Sequence, residues 1–315
     1  NEFRKLVIDR LGKTLIDLDS VLEQVLIATI AERHVLLEGV PGTAKTTLCR
    51  TLAAAMGLDF SRIQFTPDLM PSDVTGTRIL DQSKSQFVLQ RGPIFCQLLL
   101  ADELNRAPAR TQSALLEAMQ EHRVTAGGNS YNLEEPFFVL ATQNPIEQEG
   151  TYPLPEAQVD RFMLKVVLPY PNREEEKLIV RANVSSEGFP TPNKVVDPKQ
   201  IIKARDIVKQ IYMDEKIEKY IIDIVYATRE PEYYQLDEIK HFISFGGSPR
   251  ASISLASAAK AYAFLKKRGY VIPEDVRAVC ADVLRHRIGL SYEAEAENIT
   301  TENVITTILN KVEVP

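Results

Sequence analysis

The sequence predicts an α/β chain: a parallel sheet covered by helices on both faces, then a smaller all-helical domain. Three observations carry that prediction. Five short apolar segments alternate with helical patterns between residues 34 and 168, as strands buried on both faces of a parallel sheet do. A Gly/Pro-rich loop leads from the first of them directly into a helix. Beyond Pro169-Tyr170-Pro171 the apolar strands cease and charged segments of helical period take over.

Each element follows from its residues. Over 19–32, Val21, Leu22, Val25, Leu26 and Ile30 share one helical face, and Asp19 or Ser20 can cap its start. His34-Val35-Leu36-Leu37 suits a buried strand, and the helix after the loop at 39–44 runs from Lys45 to a stop at Gly57. Residues 62–65 form a second strand. The Pro-, Gly- and Asp-rich stretch 66–93 is a loop carrying a hairpin near residues 86–89. Residues 98–101 form an apolar strand ending in Asp102-Glu103, and a helix spans 111–120. In Ala126-Gly127-Gly128-Asn129 the glycines supply the positive φ of a tight hairpin between 123–125 and 130–133. Residues 137–141 and 162–168 complete the strands; helices follow at about 173–184, 199–213, 215–229, 250–267, 274–285 and 301–312.

Composition narrows the function classes. Of 315 residues, 44% are hydrophobic and 25% charged, the balance of a globular protein with a real core. A net charge of -6 argues against a sequence-independent grip on nucleic-acid phosphates, so no nucleic-acid partner is expected. The three cysteines, Cys49, Cys96 and Cys280, lie far apart without metal-ligand spacing, and a reducing compartment fits them. The apolar runs are too short to span a bilayer, and acidic Glu2 and Asp9 replace any apolar leader. The expectation is a cytoplasmic protein without membrane insertion.

Chemistry concentrates at strand ends. Gly39-Val40-Pro41-Gly42-Thr43-Ala44-Lys45-Thr46, followed by Thr47, nearly fits the phosphate-loop pattern, with Ala44 in place of a glycine. Such a loop turns backbone N–H groups toward a polyphosphate, and the helix start adds positive dipole. Lys45 would reach the β- and γ-phosphates of ATP, and Thr46 would ligate Mg²⁺. About 57 residues after Lys45, Asp102 and Glu103 arrive at the edge where open α/β sheets bind ligands. Asp102 can hold Mg²⁺ through water, and Glu103 can orient and deprotonate the attacking water. The strand before Asn144 delivers a neutral amide to the same edge. Arg161 precedes a strand, and Arg250 opens a helix after Gly246-Gly247-Ser248-Pro249; guanidinium groups stabilise a transferring phosphoryl group.

With these elements in order, the chain resembles the AAA+ ATPases, and within them the MoxR family. The resemblance rests on Leu36-Leu37-Glu38-Gly39-Val40-Pro41-Gly42, Ala44-Lys45-Thr46, Ala101-Asp102-Glu103 and Asn105-Arg106-Ala107-Pro108. It continues through Ala141-Thr142-Gln143-Asn144-Pro145-Ile146-Glu147, Asp160-Arg161-Phe162, Ser248-Pro249-Arg250-Ala251 and Asp275-Val276-Arg277-Ala278-Val279. It covers residues 20–295, and alanine before the phosphate-loop lysine is the family's own form. Residues 16–19 depart from it, where the family often has a Gly-Gln pair near the adenine.

The resemblance implies an AAA+ P-loop αβα domain with a parallel five-stranded sheet at 1–170, a linker segment at 171–198 and a helical lid at 199–315. It makes 66–93 the helix-2 insert and 123–133 the pre-sensor-1 hairpin. It implies Asn144 as sensor 1, Arg161 as an arginine finger acting on a neighbouring subunit, and Arg250 as sensor 2. It also implies a homo-oligomeric ring, usually a hexamer, with ATP between subunits. The expected role is chaperone-like remodelling, often with a von Willebrand factor A domain partner. A magnesium-chelatase-like ATPase subunit and a weakly hydrolysing nucleotide-dependent switch are the alternatives.

Overall fold

The computed structural model describes residues 4–5, 7–8, 18–39, 45–143, 152–184 and 192–315. Helix α1 (Asp19–Ile30) precedes β1 (Val35–Glu38), and α2 (Lys45–Met56) leads to β2 (Phe60–Gln64). A short helix α3 (Pro71–Thr75) opens onto the hairpin β3 (Gly76–Asp81) and β4 (Gln86–Arg91). Then come β5 (Leu98–Asp102), α4 (Ala109–Glu121), the hairpin β6 (Arg123–Ala126) and β7 (Asn129–Asn132), and β8 (Phe138–Gln143). One turn of helix, α5 (Glu156–Val159), precedes β9 (Leu164–Val167), and α6 (Arg173–Val184) follows.

The main sheet has five parallel strands in the order β2-β5-β8-β1-β9. Its inner strands β5, β8 and β1 are apolar at nearly every position because both faces are buried there. Val35, Leu37, Leu98, Leu100, Phe138 and Leu140 face one core, shared with α1 and α2. Leu36, Leu99, Ala101, Val139 and Ala141 face the other, against Leu115, Leu116 and Met119 of α4. The period of two sorts one apolar strand into two cores.

The C-terminal helices are α7 (Pro198–Gln210), α8 (Glu215–Ala227), α9 (Asp237–Lys240), α10 (Pro249–Leu265), α11 (Pro273–Leu284), α12 (Tyr292–Ala296) and α13 (Thr301–Lys311). A two-stranded pair, β10 (Ile243–Phe245) with β11 (Gly289–Leu290), sits among them. Their apolar faces join the α1/α2 core without a break, through Ile201, Leu255, Val276 and Val279. No helix among the described residues is long and apolar enough to cross a membrane.

The five strands and all the longer helices stand where the sequence puts them, within a few residues. Gly127 and Gly128, at φ 55° and 80°, turn the β6–β7 hairpin. The cap of α1 differs from expectation. Leu18 holds the N-cap position and makes no side-chain bond, while Asp19 lies in the first turn. The helix begins a residue early, so Asp19 complements the positive helix end by charge instead of capping it. The elements α3, α5, α9, β10, β11 and α12 are not predicted from the sequence; each is five residues or fewer, and the β10–β11 pair depends on a tertiary contact, Ile243 against Leu290.

Among the polar ties to the C-terminal helices, two are built on buried arginines. Arg287 is almost fully buried beyond α11, and its Nε donates to Asp160 Oδ1 at 2.7 Å. Its terminal nitrogens donate to the carbonyls of Asp160, Phe162 and Met163 at 2.8–2.9 Å. Burial lowers its pKa, an effect countered by the Asp160 carboxylate. The second tie is Arg205 of α7, which donates to Thr29 O at 3.0 Å and to Glu135 Oε2 at 2.9 Å. His122 Nδ1 meets the other Glu135 oxygen.

Removing one partner of a buried charge pair leaves the other uncompensated, so Arg287→Leu should destabilise the chain by about 3 kcal/mol. A urea-unfolding midpoint equal to wild type would contradict that. Glu135 gives a pH prediction. Burial alone would raise its pKa, but the bonds and charges of His122, Phe137 N–H and Arg205 outweigh it and hold the carboxyl at about 2. The folded pKa lies below the unfolded value of about 4.3, so the stabilisation is complete above that value and is lost as pH falls toward 2. The stability gap between wild type and Glu135→Gln should therefore narrow between pH 6 and pH 3, and a gap that widens on acidification would exclude this role.

Candidate active site

All five strands of the sheet are parallel, so their C-terminal ends share one edge. Glu38, Gln143, Asp102 and Gln64 end β1, β8, β5 and β2 there. Glu38 pairs with Lys165 of β9 at 2.6 Å, which settles the end of β1. Of the loop that follows, Val40, Pro41, Gly42, Thr43 and Ala44 lie outside the described residues, as does Asn144. Gly39 and Lys45–Thr47 bound that loop, and Lys45 Nζ donates to Gly39 O at 2.5 Å. Helix α2 starts at Lys45 with no acidic residue in its first turn, so its positive end is not offset by its own side chains. Burial lowers the Lys45 pKa, against the opposing pull of the Asp102, Glu103 and Glu38 carboxylates. Lys45 is thus a half-buried cation facing three acids.

The two acids are held by named partners. Asp102 ends β5, and Glu103 turns the chain sharply out of the strand in the left-handed region, φ 55° and ψ 49°. A glutamate there is strained, and the neighbours hold it. Thr142 of β8 donates through Oγ1 to Asp102 Oδ1 at 2.7 Å and accepts from Glu103 N–H at 2.8 Å. One buried hydroxyl therefore positions both acidic residues. On the other side, Arg62 and Gln64 of β2 point the same way, two residues apart. Arg62 donates twice to Asp102 Oδ2, from Nε at 3.1 Å and Nη2 at 2.5 Å. Gln64 Nε2 and Arg106 Nη1 both donate to Glu103 Oε2, at 3.0 and 2.9 Å.

Thr142, Arg62, Gln64 and Arg106 escaped the sequence reading as site residues. A signal existed for two of them: Arg62 and Gln64 alternate with apolar Ile63 and Phe65, the pattern of an edge strand with one polar face.

Arg161 and Arg250 lie elsewhere. Arg161 precedes β9 and borders a cleft of about 270 Å³ with His34, at the start of β1, and with Arg250 and Arg33. This is the N-terminal edge of the sheet, roughly 10 Å along the strand direction from the edge that carries the acids. Arg161 Nε is buried with no hydrogen-bond partner among the described residues. Arg250 is half exposed and approaches Asp160 Oδ2 only to 3.9 Å. Its placement is exact nonetheless. Ser248 caps α10 by accepting from Arg250 N–H and donates to Asp160 Oδ2 at 2.9 Å. A Cβ on Gly246 would meet Thr228 O at 2.3 Å, so the loop before Arg250 passes too close to that backbone for a side chain. The structure gathers Lys45, Asp102 and Glu103 at one edge, and Arg161 and Arg250 at the other.

Two family descriptions match the chain. The family described as "ATPase family associated with various cellular activities (AAA)" matches residues 34–164, and the AAA lid domain matches residues 237–308. The chain is 45% identical to the chaperone MoxR1 of Mycobacterium tuberculosis over 304 residues, covering 96% of this chain and 80% of that protein. It is 31% identical to the protein MoxR of Paracoccus denitrificans over 290 residues, covering 86% and 85% of the two chains. A crystal structure of a protein from Cytophaga hutchinsonii superposes with a TM-score of 0.92 at 50% identity, across 100% of this chain and 96% of that one. The likeness runs through sheet and lid alike and at nearly half identity, and by it the chain belongs to the MoxR family of AAA ATPases.

Proposed function

We propose that this chain binds ATP with Mg²⁺ and hydrolyses it at a site completed by a neighbouring subunit, to drive chaperone-like remodelling of partner proteins. The observation that carries the reading is the separation of the two charged groups. The acids and Lys45 stand at the C-terminal edge of the sheet, whereas Arg161 and Arg250 stand at the N-terminal edge. Transfer of a phosphoryl group needs positive charge beside the γ-phosphate. Neither arginine stands at the edge that carries its own chain's Lys45 and acids, so in a closed ring each chain would lend them to the next. Arg250, expected as a lid residue reporting on the nucleotide, joins Arg161 in that role.

The donor set fits Mg²⁺. The described residues hold no group of three or more His, Cys, Asp or Glu that could cage a metal. A single carboxylate on Asp102 with the Thr46 hydroxyl suits an ion that keeps several waters and takes its other ligands from phosphates. When bound, Mg²⁺ neutralises charge on the β- and γ-phosphates. The chain does the rest. Lys45 binds the same phosphates, Thr142 orients Asp102, and Glu103 accepts the proton of the attacking water. Gln64 and Arg106 hold Glu103 Oε2 and leave Oε1 for that water.

The chaperone-like role draws support from the relative named as a chaperone. The hexameric ring and the von Willebrand factor A domain partner rest on the family resemblance.

Replacing the base while keeping its shape separates binding from chemistry. Glu103→Gln should retain ATP affinity and lower turnover about 10²-fold or more; turnover at the wild-type rate would remove Glu103 from the mechanism. Mixing tests the shared site. Arg161→Ala and Glu103→Gln chains should each be inactive alone, and together they should recover activity where an intact acid faces an intact arginine. No recovery on mixing would mean that Arg161 serves its own chain.

A further inference from the structure

Asp102 has two carboxylate oxygens, and both are committed. Oδ1 accepts from Thr142. Oδ2 accepts two hydrogen bonds from one guanidinium, that of Arg62. Thr142 is buried and also supports Glu103 N–H, so the Oδ1 contact is part of the frame. Arg62 is different in kind. Its side chain is 42% exposed and that of Asp102 15%, so the guanidinium can swing into water at little desolvation cost. It comes from β2, the edge strand, whose outer side has no further strand to confine it. Asp102 Oδ2 is thus the oxygen most easily released to another cation, and Arg62 is the cation already on it.

We propose that Arg62 is a built-in competitor of the divalent cation at Asp102. Guanidinium and metal contend for Oδ2, and Arg62 thereby raises the metal concentration at which the site accepts metal-bound nucleotide. The inference rests on the reading of Asp102 as the metal's carboxylate. It differs from a purely structural role in the sign of its effect. If Arg62 only tied β2 to β5, its loss would loosen Asp102 and weaken metal binding. If Arg62 competes, its loss strengthens metal binding.

The sign is measurable without turnover. The affinity of the full chain for a fluorescent, non-hydrolysable ATP analogue is measured in excess EDTA and in saturating Mg²⁺, and the ratio of the two dissociation constants is the metal's contribution. Half-exposed ion pairs are modest, so Arg62→Ala should raise that ratio about two- to fivefold. Arg62→Lys keeps the charge with a single donor head and should fall between wild type and Arg62→Ala. An unchanged or lowered ratio in Arg62→Ala overturns the proposal. Asp102→Asn separates the two levels of the argument. Its ratio should collapse, and if it stays at the wild-type value the metal reading of Asp102 fails first. A collapsed ratio in Asp102→Asn beside an unchanged ratio in Arg62→Ala would sink the competitor alone.

Discussion

The constraint on which the rest depends is the burial of the parallel sheet on both faces. A strand with apolar neighbours above and below has no place along its length for a functional polar side chain. Chemistry can only stand at the two ends. The parallel sense then puts every strand's last residue on one edge and its first on the other. Asp102 and Glu103 follow β5 and so share the edge with Lys45; Arg161 precedes β9 and so lies opposite. Thr142 is the informative exception. It is a buried polar residue in the penultimate position of β8, with its hydroxyl used as both donor and acceptor. Buried polarity is tolerated where every bond is made.

The lid belongs to the same argument. Arg287 grips the carbonyls of Asp160, Phe162 and Met163, which flank Arg161 on both sides, and pairs with the Asp160 carboxylate. Ser248 donates to that same carboxylate and caps the helix that begins with Pro249 and Arg250. One cluster centred on Asp160 therefore ties the lid to the chain on both sides of Arg161 and to the start of the helix that carries Arg250. A shift of the lid relative to the sheet cannot leave Arg161 and Arg250 where they are. At the hairpin side, Arg205 ties α7 to Glu135, which also holds His122 at the end of α4. The C-terminal helices thus bear on the arginine edge and on the base of the β6–β7 hairpin.

Local patterns made much of this legible. Apolar strands, the glycines at 127 and 128 and the helical periods of the lid are properties of neighbouring residues, and the elements they predict are present. The acids and Lys45 were legible because their motifs are short and ordered. Apart from Arg106, three residues beyond Glu103, the partners of the acids that escaped depend on register between segments about 40 residues apart. Arg62 and Gln64 lie 40 and 39 residues from the acids they hold, and Thr142 lies 40 from Asp102. Nothing in a strand of five residues says which neighbour it will pair with. The meeting of Arg161 with Arg250 was hidden for a related reason. It follows from which face of the sheet the lid covers, and that choice is made by apolar surface spread over the whole lid. Arg287 escaped because a buried arginine looks, in sequence, like any charge beyond a helix end.

The opposite placement of the acids and the arginines also limits how such a chain can work alone. In the proposed reaction Lys45 and the helix start would bind and the acids would supply a base, but Lys45 faces the carboxylates of Asp102, Glu103 and Glu38. Arg62 and Arg106 are the nearby guanidinium groups seen on the acids, and both spend hydrogen bonds there. An arginine held against Asp102 or Glu103 offsets negative charge in the resting site instead of adding net positive charge to it. Arg161 differs: its Nε is buried with no hydrogen-bond partner among the described residues, although Asp160 and Glu32 border the same cleft. A buried donor left unpaired is costly. In the proposed ring, a phosphate carried in by the next subunit would satisfy it, and the same contact would bring positive charge to the neighbour's site.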